Sequence, residues 1–181
     1  MLFATWLIPA LFLGQAPSSH FADEAGGFRV AFPGEPKSQE TKVPGPAGSG
    51  ELDVHSFVYE ERGRAYLVSY NDYPAIDADK VGEFLDEVMT GSVQKFKGKL
   101  GSKRDIKLGT SPGKDYQYTI PGPKGDTIAG RSRIYLVGNR LYQLVLIGDE
   151  AFVKSKDANS YLDSFEITRA KLERPKAKPQ G

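Results

Sequence analysis

Residues 134–148 read Ile-Tyr-Leu-Val-Gly-Asn-Arg-Leu-Tyr-Gln-Leu-Val-Leu-Ile-Gly, two strand-forming runs separated only by Gly138-Asn139. No other stretch limits the fold as strongly. A two-residue link between such runs closes only as a tight hairpin, and a type I′ turn would place positive φ at both link positions. Antiparallel strands over 127–137 and 140–148 are therefore expected side by side.

The remaining pattern extends this hairpin into a sheet. Phe28, Val30 and Phe32 alternate ahead of Pro33-Gly34, giving a short opening strand, and the Pro-Gly-Pro run after Val43 reads as a loop. Residues 51–59 and 65–73 form a second hairpin around a polar turn. Leu52, Val54, Ser56 and Val58 share one face of its first strand; Asp53, His55, Phe57 and Tyr59 share the other. Strand-like runs recur at 100–108 and 114–120. Between them and the second hairpin the period changes, because Val81, Phe84, Leu85, Val88, Met89 and Phe96 fall at helical spacing, with Asp77 as N-cap and Gly98 as stop. A short closing helix over 157–165 places Ala158, Tyr161, Leu162 and Phe165 on one side. The expected class is α+β: a mostly antiparallel sheet of six or seven strands flanked by one long and one short helix.

Three segments divide the chain of 181 residues. Residues 1–22 contain no charged side chain, and their apolar stretch from Leu2 to Leu13 is too short to span a bilayer but suits a secretory signal. Cleavage after Ala16 would leave Pro17 first, whereas cleavage after Ala22 places His20 three residues before the cut. Residues 23–167 form the folded domain. Residues 168–181 form a basic tail in which Arg169, Lys171, Arg174, Lys176 and Lys178 outnumber Glu173, and its composition predicts disorder. That tail offers weak contact with an anionic surface. Its net +4 leaves −3 on the rest of a chain whose total is +1, so the body lacks the positive excess that nucleic-acid binding needs.

The order of elements resembles the PsbP-like superfamily, which includes DcrB-type envelope proteins and the yeast Ran release factor. The stretches that carry the resemblance are GFRVAFPGEPK, IYLVGNRLYQLVLIG and SYLDSFEI. It covers residues 27–167 and implies a largely non-catalytic binding or assembly module, with no shared catalytic motif to transfer.

The residues themselves agree with that implication. With no cysteine there is no disulfide, thiolate metal site, cysteine nucleophile or lipidated cysteine. His20 and His55 are the only histidines, too few for a multi-histidine metal centre, and His55 reads as a strand residue rather than a base. No G-x-S-x-G elbow occurs. Asp77-x-Asp79 with Gly82 imitates an EF-hand opening, but Val81 and Val88 occupy ligand positions. Neither glycine-rich stretch, 45–50 or 122–125, supplies the Lys-Ser/Thr pair of a phosphate loop. No catalytic, cofactor or metal residue is therefore assigned, and no cofactor is expected. Arg131 and Arg133 lie two apart on one strand, in line with Tyr135, and are the candidate partner-binding residues. The expected function is that of an exported (periplasmic or extracellular) binding module with an envelope protein as partner, contacting no nucleic acid and having no transmembrane span once the signal is removed. The alternatives are a small-ligand carrier with a pocket between sheet and helix and, third, an enzyme using His55.

Overall fold

The computed structural model describes residues 20–45, 50–123 and 125–168. The expected signal and tail therefore lie almost wholly outside the described residues. The polypeptide enters on β1 (His20–Asp23), turns through Gly27 into β2 (Phe28–Ala31), and then crosses to β3 (Lys37–Pro44), β4 (Glu51–Glu61) and β5 (Arg64–Asp72). Helix α1 (Val81–Lys95) follows, then the antiparallel strands β6 (Lys99–Leu108), β7 (Ser111–Pro121), β8 (Thr127–Val137) and β9 (Arg140–Gly148). The chain closes with α2 (Glu150–Val153), α3 (Lys156–Asp163) and β10 (Glu166–Ile167).

Seven strands make one antiparallel sheet in the order β3-β4-β5-β9-β8-β7-β6. The expected α+β architecture is therefore present, and the hairpins at 51–73 and 127–148 are its centre. A second, small sheet in the order β1-β2-β10 lies over one face. Because side chains alternate across each strand, the large sheet sends Val68, Tyr142, Leu144 and Leu146 toward β2 and α3, where they bury Phe28, Val30, Phe32, Ala158, Leu162 and Phe165. The opposite face sends Tyr116, Tyr118, Ile134 and Leu136 against Leu85, Met89 and Val93 of α1. Phe28 is the hub of the first core. Its ring centroid lies 5.7–6.2 Å from those of Phe21, Phe57, Tyr70, Tyr142 and Phe165, the spacing of attractive aromatic pairs.

Local chemistry explains the boundaries. Ser155 caps α3 by accepting from the Ala158 amide at 3.1 Å, and Asp149 caps α2 by accepting from Phe152. Several expectations are corrected. Helix α1 starts at Val81, not next to Asp77: the Asp77 carbonyl accepts from the Lys80 amide in a preceding turn, and Lys80 occupies the N-cap without a side-chain bond. At its other end the left-handed residue is Lys97, at φ +53°, with its amide bonded to Gln94 and that of Gly98 bonded to Val93. Gly98 is required for another reason, since a Cβ there would lie 2.8 Å from the Thr119 carbonyl oxygen. The Gly138-Asn139 link has positive φ at its first position only, the type II′ pattern, while the type I′ pattern of two positive φ values falls at Arg62-Gly63.

Four elements were not expected from sequence: β1, β3, α2 and β10. The β1 strand runs across the expected boundary between residues 22 and 23, pairing Phe21 with Val30 and placing its ring 4.7 Å from that of Phe57.

Candidate functional site

The three candidate partner-binding residues do share one face of β8. That face is the inner one. Tyr135 stacks on Phe165, between α3 and β10, at 6.0 Å and 4°, and Arg131 retains only 7% exposure. The open patch expected at Arg131, Arg133 and Tyr135 is therefore corrected: α2 and α3 cover it, and the arginines are engaged within the fold.

Their anchor is Asp115, opposite Arg133 on β7 and 4% exposed. Arg131 grips it with two bonds, Nε to Oδ1 at 3.1 Å and Nη2 to Oδ2 at 3.0 Å, while Arg133 Nε and Arg104 Nη2 donate to Oδ2 at 3.1 and 2.8 Å. Arg131 then reaches Asn159 Oδ1 at 2.8 Å and Arg133 reaches Asp163 at 2.7 Å, so the cluster ties α3 to the sheet. Burial pushes the Asp115 carboxyl up, but the bonds from Arg131 and Arg104 and the guanidinium charges outweigh it and hold its pKa at about 2. This is a buried ionic clamp with an excess of positive charge.

Arg104 is the exposed member and leads into open space. A cleft of about 250 Å³ is lined by Ser102, Arg104, Gln117, Arg131 and Lys154, and it shares Ser102, Gln117 and Lys154 with a second, of about 360 Å³, that reaches Lys99 and Leu100. A larger groove of about 770 Å³ lies at the far end of the sheet, where Ile76, Val81, Leu108, Leu136 and Ile167 line an opening by the two turns at Gly109 and Gly138. A fourth cleft, about 390 Å³, contains His55, Tyr70, Asn71 and Arg140. There His55 stacks on Tyr70 at 4.8 Å and its Nδ1 lies 3.2 Å from Glu40. Burial pushes the Tyr70 hydroxyl up to about 12. Arg140 grips Asp72 at 2.6 and 2.7 Å and donates to the Ala25 carbonyl, stapling the β1–β2 turn to the sheet. Among the described residues no group of three or more His, Cys, Asp or Glu side chains could hold a metal ion, and no helix is long and apolar enough to cross a membrane.

One surface was missed by the sequence reading. From Val88 to Arg104 the chain contains Lys95, Lys97, Lys99, Lys103 and Arg104 and no acid. Among the described residues, Phe96 and Leu100 are the large hydrophobic side chains left exposed, at 56% and 40%. They sit among those lysines where α1 ends and β6 begins, and none of the ion pairs among the described residues uses Lys95, Lys97 or Lys99. The signal was available as an unbalanced charge run. It was obscured because Phe96 also continued the helical apolar spacing.

Comparison with known proteins gives the fold its place. No protein-family model matches the chain, and no curated protein matches it in sequence. The solution structure of cyanobacterial PsbP from Synechocystis superposes with a TM-score of 0.56 at 14% identity, covering 86% of this chain and 95% of that one. A Pseudomonas aeruginosa protein of unknown function aligns over 87% of this chain and 97% of its own at 13% identity, with a TM-score of 0.43 that is too loose to add to the assignment. The antiparallel sheet of hairpins, covered by α1 on one face and by the closing helices on the other, is a PsbP-like fold.

Proposed function

We propose that this chain is an exported, non-catalytic binding or assembly module of the cell envelope. The observation that carries this reading is where its polar chemistry is used. The interior arginines are spent on Asp115, Asn159 and Asp163, whereas Lys95, Lys97 and Lys99 stand in solvent beside two exposed apolar side chains. A surface of that kind is suited to contact and not to bond-making. The uncharged apolar segment at residues 2–13 supports export.

Fractionation of native cells with N-terminal sequencing tests the location. The expected result is a chain in an exported fraction that lacks its first residues; a cytoplasmic chain beginning at Met1 overturns the reading. A salt-stepped pull-down with the same material from a native envelope fraction tests the module role, and a reproducible partner is expected.

The groove by Gly109 and Gly138 favours a second reading, a carrier of a small ligand, because Ile76, Val81, Leu108 and Ile167 line it together with polar Thr110, Ser111 and Asn139. Native mass spectrometry of material from the host would detect such a cargo as a mass above that of the chain.

A further inference from the structure

We infer that the ridge formed by the end of α1 and the start of β6 docks on an anionic lipid surface, with Phe96 and Leu100 entering the interface and Lys95, Lys97, Lys99 and Lys103 lying among the headgroups. This rests on the envelope-module reading and names what the module touches.

Three features favour lipid over protein. The charges are lysines, compact and strongly hydrated on flexible stems, which suit a diffuse anionic layer better than a fixed partner. Lysine is depleted at protein–protein interfaces, where arginine and aromatic side chains dominate, and the arginines of this region are committed to Asp115. The larger apolar group also stands outside the grooves: Phe96 lines none of the four clefts described above, and Leu100 lines only the one of about 360 Å³. Exposed aromatic and aliphatic side chains ringed by lysines have the amphipathic composition of an interfacial anchor, in which the apolar group passes the headgroups and the ammonium groups stay with them.

The backbone contributes to this presentation. Lys97 holds a left-handed conformation at φ +53°, a position that favours glycine, while glycine is the next residue. The reversal sets Phe96, Lys97 and Lys99 around the end of the helix, and the bonds of Lys97 and Gly98 back to Gln94 and Val93 fix it. Lys103 extends the ridge along β6 and is held 3.6 Å from Asp86.

The test is site-specific quenching. In the full chain with Trp6→Phe, which removes the native tryptophan, Phe96→Trp places an indole on the ridge; Thr41→Trp in the same background places one on exposed β3, at the opposite edge of the sheet. Both are mixed with vesicles of phosphatidylglycerol and phosphatidylcholine carrying brominated acyl chains. The expected result is quenching and a blue shift for Phe96→Trp and neither for Thr41→Trp, with loss of the response in pure phosphatidylcholine. Adding Lys95→Gln, Lys97→Gln and Lys99→Gln is expected to raise the lipid concentration for half-maximal quenching by about tenfold or more. Equal quenching at both positions, or none at the ridge, overturns the inference. A response to soluble polyglutamate in place of vesicles overturns it in favour of an acidic protein. If vesicles fail while the envelope pull-down succeeds, the lipid assignment falls and the module reading stands. If ridge quenching succeeds for a chain found in the cytoplasm, the ridge assignment stands and the envelope reading falls.

Discussion

Asp115 concentrates the physics of single residues in this fold. One buried carboxylate accepts from three guanidinium groups, so its removal leaves Arg131 charged in the interior without its counter-ion. Breaking such a pair costs about 3 kcal/mol or more, far beyond the value of an exposed pair such as Lys42–Asp53. Asp115→Asn is therefore expected to lower the urea midpoint markedly at neutral pH. The sign with pH follows from a pKa held at about 2 against an ordinary 3.8. The ionised group stabilises the native state fully above the ordinary value, and this contribution is lost as pH falls from about 4 toward 2. Wild type and Asp115→Asn should converge in acid; a gap in midpoint that stays constant from pH 5 to about 2.5 would refute this account. The arginines show how far a sequence can be read at this scale. Their i, i+2 spacing fixed a common face, but which face is covered depends on α2 and α3, and the partner of Arg131 lies on another strand. Neither fact is local.

At the scale of elements, legibility followed hydrophobic periodicity. Strands β4, β5 and β7 to β9 and helix α1 announced themselves because each buries an apolar face. Strand β6 shows only half-buried Ile106 and Leu108, and of the four side chains expected inside, Ala158, Tyr161 and Leu162 are buried from α3 and Phe165 from just beyond it. Strand β3 was silent. Its residues Lys37–Pro44 are exposed at nearly every position, so the sheet edge selects for solubility and leaves no alternation to read. The type I′ turn expected at Gly138-Asn139 is found instead at Arg62-Gly63, where Arg62 is held at +46°. Arg62→Asn would create the Asn-Gly pair that such a turn favours, and is expected to raise stability by about 0.5–1 kcal/mol, read as a higher melting temperature without change in the denaturant slope. A chain begun at Asp23 makes the opposite prediction. It loses most of β1 and the Phe21 ring packed on Phe28, Phe32 and Phe57. A loss of about 2 kcal/mol relative to a chain begun at Pro17 is expected, scaled down from full burial because Phe21 is half-buried. Equal melting temperatures would show that β1 contributes nothing.

For the whole molecule, all nine tyrosines lie between residues 59 and 161 and the single tryptophan, Trp6, lies in the apolar segment proposed as a leader. Protein isolated from the native host should therefore emit as tyrosine alone if the leader has been removed, and a tryptophan band would mean that it is retained. The small sheet has a further consequence. Strand β2 is flanked by β1 from the start of the described chain and by β10 from its end, with Arg29 bonded to Glu166 across 137 residues and the Thr168 amide bonded to Gly27. The β1–β2 half of this sheet is local, but its β2–β10 half cannot be completed until the ribosome has delivered nearly the whole domain, and loop closure over such a distance is slow. The opening strand must wait, unpaired on one side, for the last. If the chain is exported as proposed, a translocation channel that accepts only extended polypeptide would thus meet it during the interval in which its topology keeps it from locking shut.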